Sequence, residues 1–414
     1  MMGPGLALEQ APPFSAPLRF FLTAPVVLAA AGLLAAWSTG WSGTPLAPVS
    51  LALTHLVTLG FLGMVMLGAL MQILPVVAGS PVPAVVPVAA VSHAGLAIGT
   101  PLLAWGLASG EAAILNAAGL ALGLGLTVFL IPTAISLARA RALDSVRAMA
   151  LSVAALAVTV LLGLSLTAWL AGHWAPADPI DLLGRHALAG LAGWVGVLVA
   201  GTAWQVVPML QLTPAYPPRL TRALLIGFAL ALPAALLPPA PWQIVGEAGL
   251  ALGLVVFALA TLDLQRRRKR KIGDTTLRFW RLGMICLALA AALSPLPLPE
   301  AARMTAGMLF VAGFGVSVVN GMLYKIVPFL AWFHLHAQKG LPAAGRPSMK
   351  DYLPESRAQG QFRAYLAALA CLLATPYVPA LAVPGGLLLA ASSAWLGWNL
   401  VSAVRLFRAH GGRV

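Results

Sequence analysis

The chain alternates long apolar stretches with short connections rich in proline, glycine or charged residues. A helix needs about 20 mostly apolar residues to cross a bilayer, and the stretches have about that length. The pattern therefore predicts twelve membrane-spanning helices. Their predicted bounds are 17–38, 47–75, 83–107, 112–138, 146–171, 182–210, 219–239, 242–264, 280–297, 301–333, 362–378 and 380–406.

The composition agrees with this pattern. Hydrophobic residues make up 60% of the chain, charged residues only 9%, and the mean hydropathy is +0.92. So few polar groups cannot cover a surface that faces water, which excludes a soluble fold. We expect an all-α membrane protein, one membrane domain over residues 1–414, that contacts the lipid bilayer.

The basic residues test the number of spans, because Lys and Arg near span ends are retained in the cytoplasm. With the N-terminus inside, the connections on the other side hold only Arg185 and Arg303. The cytoplasmic set is then Arg139, Arg141, Arg147, Arg219, Arg222, residues 266–271 and residues 339–363. The pattern predicts that both termini and a polar loop at 338–361 are cytoplasmic, and the composition fits a bacterial inner membrane.

The net charge of +14 would suggest nucleic acid in a soluble protein. Here the six consecutive basic residues 266–271 fit an anchor at anionic lipid headgroups. We predict no nucleic-acid partner.

An internal repeat is the most informative pattern. A glycine is followed by a second glycine eight residues later, a polar residue four further on and a proline three beyond that. The three copies are Gly60, Gly68, Gln72 and Pro75; Gly193, Gly201, Gln205 and Pro208; and Gly313, Gly321, Lys325 and Pro328. They fall in predicted spans two, six and ten. The sequence thus predicts three four-helix repeats, at about 17–138, 146–264 and 280–406, in a pseudo-threefold arrangement.

The repeated polar residues have two interpretations. Gln72, Gln205 and Lys325 can serve helix packing, or they can line a polar substrate path in a permease. All three units run in one orientation, which lacks the inverted halves typical of alternating access and counts against the permease.

Three four-span units whose second helices carry the special residues resemble subunit I of the heme-copper oxidase superfamily. The second span is also similar to the NnrS family in His55, Gly60-Phe61, Gly68, Pro75 and Gly79. This resemblance implies bound heme and/or copper, with a role in electron transfer, metal handling or nitric oxide tolerance, and a redox partner or quinol. A purely structural or assembly subunit is a further hypothesis.

His55 is the leading ligand candidate. It lies about eight residues, or roughly 12 Å, inside predicted span two, where an imidazole is costly unless paired or bound to metal. It matches the position of an axial heme ligand in the oxidases; the alternatives are a neutral histidine that donates to a carbonyl or hydroxyl of a neighbouring helix, and a role in a transport site. His186 lies on span six, where the oxidases place a metal-binding histidine. It stands seven residues before its repeat glycine and His55 five before its own, so the two occupy nearly opposite helix faces.

The resemblance is incomplete in spans seven and ten. Span ten has Ala306 and Met308 where the oxidases have histidines, and Met308, aligned with His55, is either a thioether ligand or a core residue. Span seven lacks histidine, so we predict no oxygen-reducing binuclear site and no catalytic residue. His93, in span three, is a hydrogen-bond partner of a ligand, a ligand itself or a proton carrier. The oligomeric state is left open.

Overall fold

The computed structural model describes residues 8–38, 40–237, 240–269, 272–340 and 346–414, and these residues form helices without any β-strand. Eleven of the helices are long and apolar enough to cross a membrane. They are α1 Ser15–Trp37, α2 Pro48–Ala78, α3 Val85–Ser109, α4 Ala112–Arg139, α5 Asp144–Leu170, α6 Pro179–Gln211, α7 Pro218–Leu236, α8 Pro241–Arg266, α9 Thr275–Leu293, α10 Glu300–Lys339 and α12 Pro379–Ala409. The predicted all-α membrane class is confirmed.

The remaining predicted span, 362–378, corresponds to helix α11, Glu355–Ala374. Its first half carries Glu355, Arg357 and Arg363, and it is not among the eleven apolar helices. The predicted loop 338–361 is also shorter than expected, because α10 extends to Lys339 and α11 begins at Glu355. Tyr352, within this connection, is buried.

Helix α9 begins five residues before its predicted start. Asp274 caps it: the side chain accepts a hydrogen bond from the backbone N–H of Leu277 at 3.0 Å. A capped first turn satisfies a backbone donor that water would otherwise hold, so the helix begins in the polar connection.

Consecutive helices pack against each other, and α12 packs along α1. A Cβ added to Gly32 would lie 2.7 Å from the Gly386 carbonyl oxygen, and one added to Gly386 would lie 2.5 Å from the Gly32 oxygen. The backbones of the first and last helices therefore touch, and the bundle closes into a ring.

Helices α2, α6 and α10 are the most enclosed; we call them the inner helices and the others the outer helices. In their most apolar windows 78, 67 and 61% of the residues are buried, against 33 to 56% in the other eight candidate spans. Each contains a π-helical segment: Thr58–Gly63, Ala189–Gly196 and Leu309–Val316. All three segments end three residues after the first repeat glycine. π-helical segments are rare in proteins, and those that occur often lie at functional sites.

The repeat glycines make the same contacts in all three inner helices. A Cβ on the second glycine would press against a carbonyl oxygen of the preceding outer helix. The contacts are Gly68 with Pro17 at 3.3 Å, Gly201 with Ser145 at 3.3 Å and Gly321 with Thr276 at 3.2 Å. The first glycines, Gly60, Gly193 and Gly313, meet Val27, Ala155 and Cys286, each ten residues beyond those carbonyls. Helices α1, α5 and α9 thus pack on α2, α6 and α10 in one register.

One end of the bundle carries Arg139, Arg141, Arg147, Arg219 and Arg222, and we call it the basic end. Helices α2, α6 and α10 all run toward it. The start of α1 and the ends of α10 and α12 meet there as well, since the ring of Phe14 packs on His334 at 5.2 Å and on Phe407 at 5.4 Å.

Candidate functional site

His55 and His186 face each other across a cavity between α2 and α6. Their ring centroids lie 6.1 Å apart, and the ring planes differ by only 20°. Each histidine stands seven residues after the proline that opens its helix, Pro48 or Pro179. Because a helix rises 1.5 Å per residue, both imidazoles lie about 10 Å from the end opposite the basic end.

Both imidazoles are fixed through the same nitrogen. Nδ1 of His55 lies 2.7 Å from the carbonyl oxygen of Leu51, and Nδ1 of His186 lies 3.1 Å from that of Thr159. A carbonyl only accepts, so each Nδ1 carries the proton and each Nε2 keeps a free lone pair. Neither Nε2 has a hydrogen-bond partner within the described ranges. This is the tautomer of metal-ligating histidines, whose other nitrogen donates to a carbonyl or carboxylate.

The separation of the rings suits one shared metal ion. A metal–nitrogen bond is about 2.0–2.1 Å long and an imidazole centre lies roughly 1.1 Å behind its nitrogen, which puts two imidazoles on opposite sides of one ion about 6.2–6.4 Å apart. The observed 6.1 Å is close to that value.

The surrounding space, the histidine cavity, has a volume of about 490 Å³ and is bounded by α2 to α6. Its walls are mostly apolar, and glycines contribute from all five helices, among them Gly119 and Gly123 one turn apart on α4 and Gly163 on α5. The volume lies within the roughly 300–1,000 Å³ of small-molecule and cofactor pockets. A Cβ at Gly119 or Gly123 would lie 3.4 to 3.8 Å from side chains of α5, so these glycines allow α4 and α5 to pack closely beside the cavity.

The two-residue difference in register explains why the histidines converge. It places His55 and His186 on nearly opposite faces of their helices. Helices α2 and α6 lie on opposite sides of the cavity. Residues that point into it therefore come from a different face of each helix, counted from the repeat glycine. The sequence showed that the two are not equivalent, but it did not show that they meet.

Only one of the three inner-helix pairs supplies two imidazoles. At the register of His55 the other inner helices have Leu188 and Met308, and at that of His186 they have Leu53 and Ala306. Met308 does not line the histidine cavity; it packs against the apolar core. His55 therefore faces His186 rather than Met308.

His93 lies apart from this pair. Its Nε2 is 2.8 Å from the hydroxyl oxygen of Thr23, and its ring meets Phe20 edge-on at 5.3 Å. The imidazole thus joins α3 to α1, and it does not line the histidine cavity.

Among the described residues no group of three or more His, Cys, Asp or Glu side chains is placed to hold a metal ion. A bare zinc site needs three or four protein ligands. Two imidazoles suffice where a macrocycle supplies the other ligands, as the porphyrin does for heme iron.

The three repeated polar residues do not enclose one path. Gln72 and Lys325 line a second space of about 420 Å³, the central cavity, among α2, α6 and α10. Gln205 lines a separate surface recess and donates to the Ser145 hydroxyl at 3.4 Å. Nζ of Lys325 lies 2.8 Å from a carboxylate oxygen of Asp274. Gln205 and Lys325 thus reach the starts of α5 and α9, as helix-packing contacts do.

Comparison with known proteins adds no identity: no family model and no curated protein matches this chain.

Proposed function

We propose that this chain is an integral membrane electron-transfer protein that holds a heme between His55 and His186. The observation that supports it is the pair of near-parallel imidazoles, each held through Nδ1, 6.1 Å apart in a glycine-lined cavity of about 490 Å³. A heme held by both imidazoles would supply one-electron transfer, since both histidines would be committed to the iron. This favours electron transfer over nitric oxide tolerance or metal handling.

The residues of the site have distinct tasks. His55 and His186 would hold the heme iron through Nε2, and the carbonyls of Leu51 and Thr159 fix their tautomer and ring orientation. The aliphatic side chains exclude water, and burial and dielectric are among the factors that set the potential of a redox group.

Copper bound by the same two imidazoles is a second candidate, and the 6.1 Å separation accommodates it equally well. The size of the cavity favours heme, because a single ion leaves most of that volume unexplained. Gln205 lies outside the central cavity that Gln72 and Lys325 line, which counts against a permease with one path lined by all three residues.

The proposal includes twelve spans in three four-helix units, with α11 as the twelfth crossing. The glycine contacts of α1, α5 and α9, which recur in one register, support the units. The side chain of Gln338, at the end of α10, donates to the Arg413 carbonyl at 2.8 Å and accepts from its N–H at 2.9 Å. The end of α10 therefore adjoins the end of α12, and these two helices run in the same direction. Since α11 connects the end of α10 to the start of α12, it runs in the opposite direction.

By the distribution of Lys and Arg, we place the basic end in the cytoplasm of a bacterial cell, in the inner membrane, with both termini inside. The histidine cavity then lies in the outer half of the bilayer, and an electron partner is expected to reach it from that side.

The test is the reduced-minus-oxidised visible spectrum of protein purified from heme-sufficient cells. We expect a Soret and an alpha band that are lost in His55→Ala and in His186→Ala but kept in His93→Ala. Size-exclusion profiles check that each variant is folded, and metal analysis distinguishes iron from copper. A metal-free, colourless wild-type protein, or bands that survive both substitutions, would overturn the proposal.

A further inference from the structure

A surface recess lies at the basic end, between the end of α6 and the start of α7. We call it the α6–α7 recess, and its volume is about 480 Å³. Trp204, Gln205 and Met209 line it from α6, and Thr221 lines it from α7. The start of α5 adjoins the recess, because the Gln205 amide donates to the Ser145 hydroxyl at 3.4 Å. Two helix starts and one helix end thus surround an open space.

Positive charge is in excess beside this recess. The carboxylate of Asp144 lies 3.4 Å from the hydroxyl oxygen of Thr221, and two guanidinium groups approach it. Nη1 of Arg147 is 3.7 Å away and Nε of Arg222 is 4.0 Å away, and both arginine side chains are more than half exposed. Both distances exceed that of a hydrogen bond, so the guanidinium donors stay open to a further partner. The other three arginines of the basic end have no ion pair or side-chain hydrogen bond within the described ranges.

The third four-helix unit balances its charge at the equivalent position. Lys325 has the register of Gln205, and its Nζ forms an ion pair with Asp274 at 2.8 Å. Burial raises the pKa of Asp274, but the hydrogen bond and the charge of Lys325, with smaller contributions from neighbouring donors and charges, outweigh this and hold the pKa below its usual range. The carboxylate is therefore ionised at neutral pH, and the pair is neutral as a whole. In the second unit, the uncharged Gln205 leaves one carboxylate between two arginines.

We propose that the α6–α7 recess binds the headgroup of an anionic phospholipid, with Arg147 and Arg222 as the partners of its phosphate. Guanidinium groups bind phosphate oxygens through charge-assisted hydrogen bonds, and a net negative headgroup balances the positive charge that Asp144 leaves over. A phospholipid reaches this position because the helix ends here lie at the level of the bilayer headgroups. Met209 and Leu212, 46% and 48% exposed, contact the acyl chains. This site does not depend on the proposed heme.

Two lipids that share acyl chains and a phosphate but differ in net charge test the headgroup chemistry. Delipidated protein in detergent is titrated with phosphatidylglycerol or phosphatidylcholine, and bound lipid is counted by native mass spectrometry. We expect the first phosphatidylglycerol to bind about five-fold more tightly, or more, than the first phosphatidylcholine. Soluble glycerol phosphate at the same concentration should not displace it, because it lacks the acyl chains. Equal binding of the two lipids, or displacement by glycerol phosphate, would overturn the proposal.

Arginines elsewhere at the basic end provide the matched control. Arg147→Gln and Arg222→Gln each remove one phosphate partner, and we expect the affinity for phosphatidylglycerol to fall about five-fold in each variant. Arg405→Gln and Arg408→Gln make the same change in charge at the end of α12, which packs on α1 rather than beside the recess, and should leave the affinity unchanged. Equal losses in all four variants would mean a general attraction to anionic lipid and would overturn the site. Unfolding temperatures check the fold, and the results are independent of the heme bands.

Discussion

Gly163 of α5 lies directly against the imidazole of His186. A Cβ atom on this glycine would be 2.9 Å from Cε1 and 3.4 Å from Nδ1 of the ring. Real Cβ atoms essentially never approach a neighbour within 3.0 Å, so any side chain at position 163 must displace the imidazole. The glycine is therefore part of what orients His186.

This contact predicts a change at the proposed heme site even though both histidines are kept. We expect Gly163→Val to weaken or abolish the heme bands, because the displaced ring also loses its bond to the Thr159 carbonyl. Gly184→Ala is the control: it lies two residues before His186 on the same helix and has nothing within 4 Å of its Cβ position. The measurement is heme content per protein. Equal heme content in the two variants would show that the ring orientation does not matter.

The ion pair of Lys325 and Asp274 predicts a pH-dependent stability. The folded-state pKa of Asp274 lies below its unfolded value of about 3.9. Its contribution to the free energy of unfolding is therefore complete above the pKa of the unfolded state and is lost as the pH falls through the pKa of the folded state. We expect the unfolding temperature of the wild type to fall more steeply below pH 4 than that of Asp274→Asn, which keeps a capping side chain for α9.

Thermal unfolding between pH 3 and 6 measures this difference. Asp263→Asn removes the exposed pair with Arg267 and is the control, with an expected change within about 1 kcal/mol at any pH. Parallel curves for wild type and Asp274→Asn would mean that the pair adds no stability.

The sequence predicts the helices well and the site only in part, and particular residues show why. Span length and apolar content are local properties, so the eleven spans lie close to their predicted positions. The start of α9 was missed because its cap, Asp274, lies outside the apolar run. Among the site residues, His55 is a candidate from its depth in the membrane and from the resemblance, and His186 from the resemblance alone.

That His55 and His186 meet depends on how α2 and α6 face each other, which is a tertiary property. The same holds for Gln72 and Gln205, which share a register in sequence but lie in different surroundings. The repeat therefore predicts the contacts of its glycines, but not the surroundings of the polar and histidine side chains. One signal was readable: both histidines stand seven residues after the proline at the start of their helices.

The contact between the first and last helices predicts that a small substitution there strongly lowers stability. A Cβ at Gly386 would lie 2.5 Å from the Gly32 carbonyl oxygen and 2.6 Å from the Ala36 backbone nitrogen. These are backbone atoms, so the two helices must separate. We expect Gly386→Val to destabilise the protein by about 1–3 kcal/mol, as overpacking does. Gly397→Ala, on the same helix with its nearest neighbour at 3.4 Å, should change little. Unfolding temperatures in one detergent provide the comparison.

The direction of α11 predicts which end of the bundle each of its flanking connections occupies. If α11 crosses the membrane, Tyr377 lies outside and Met349 lies in the cytoplasm; both side chains are exposed, 60% and 45% respectively. We expect Tyr377→Cys, in a background with Cys286 and Cys371 replaced, to react with an impermeant maleimide in intact spheroplasts. Met349→Cys should react only after permeabilisation. Labelling of both positions from the same side would show that α11 does not cross, and the twelve-span arrangement would then be wrong while the eleven apolar helices remain.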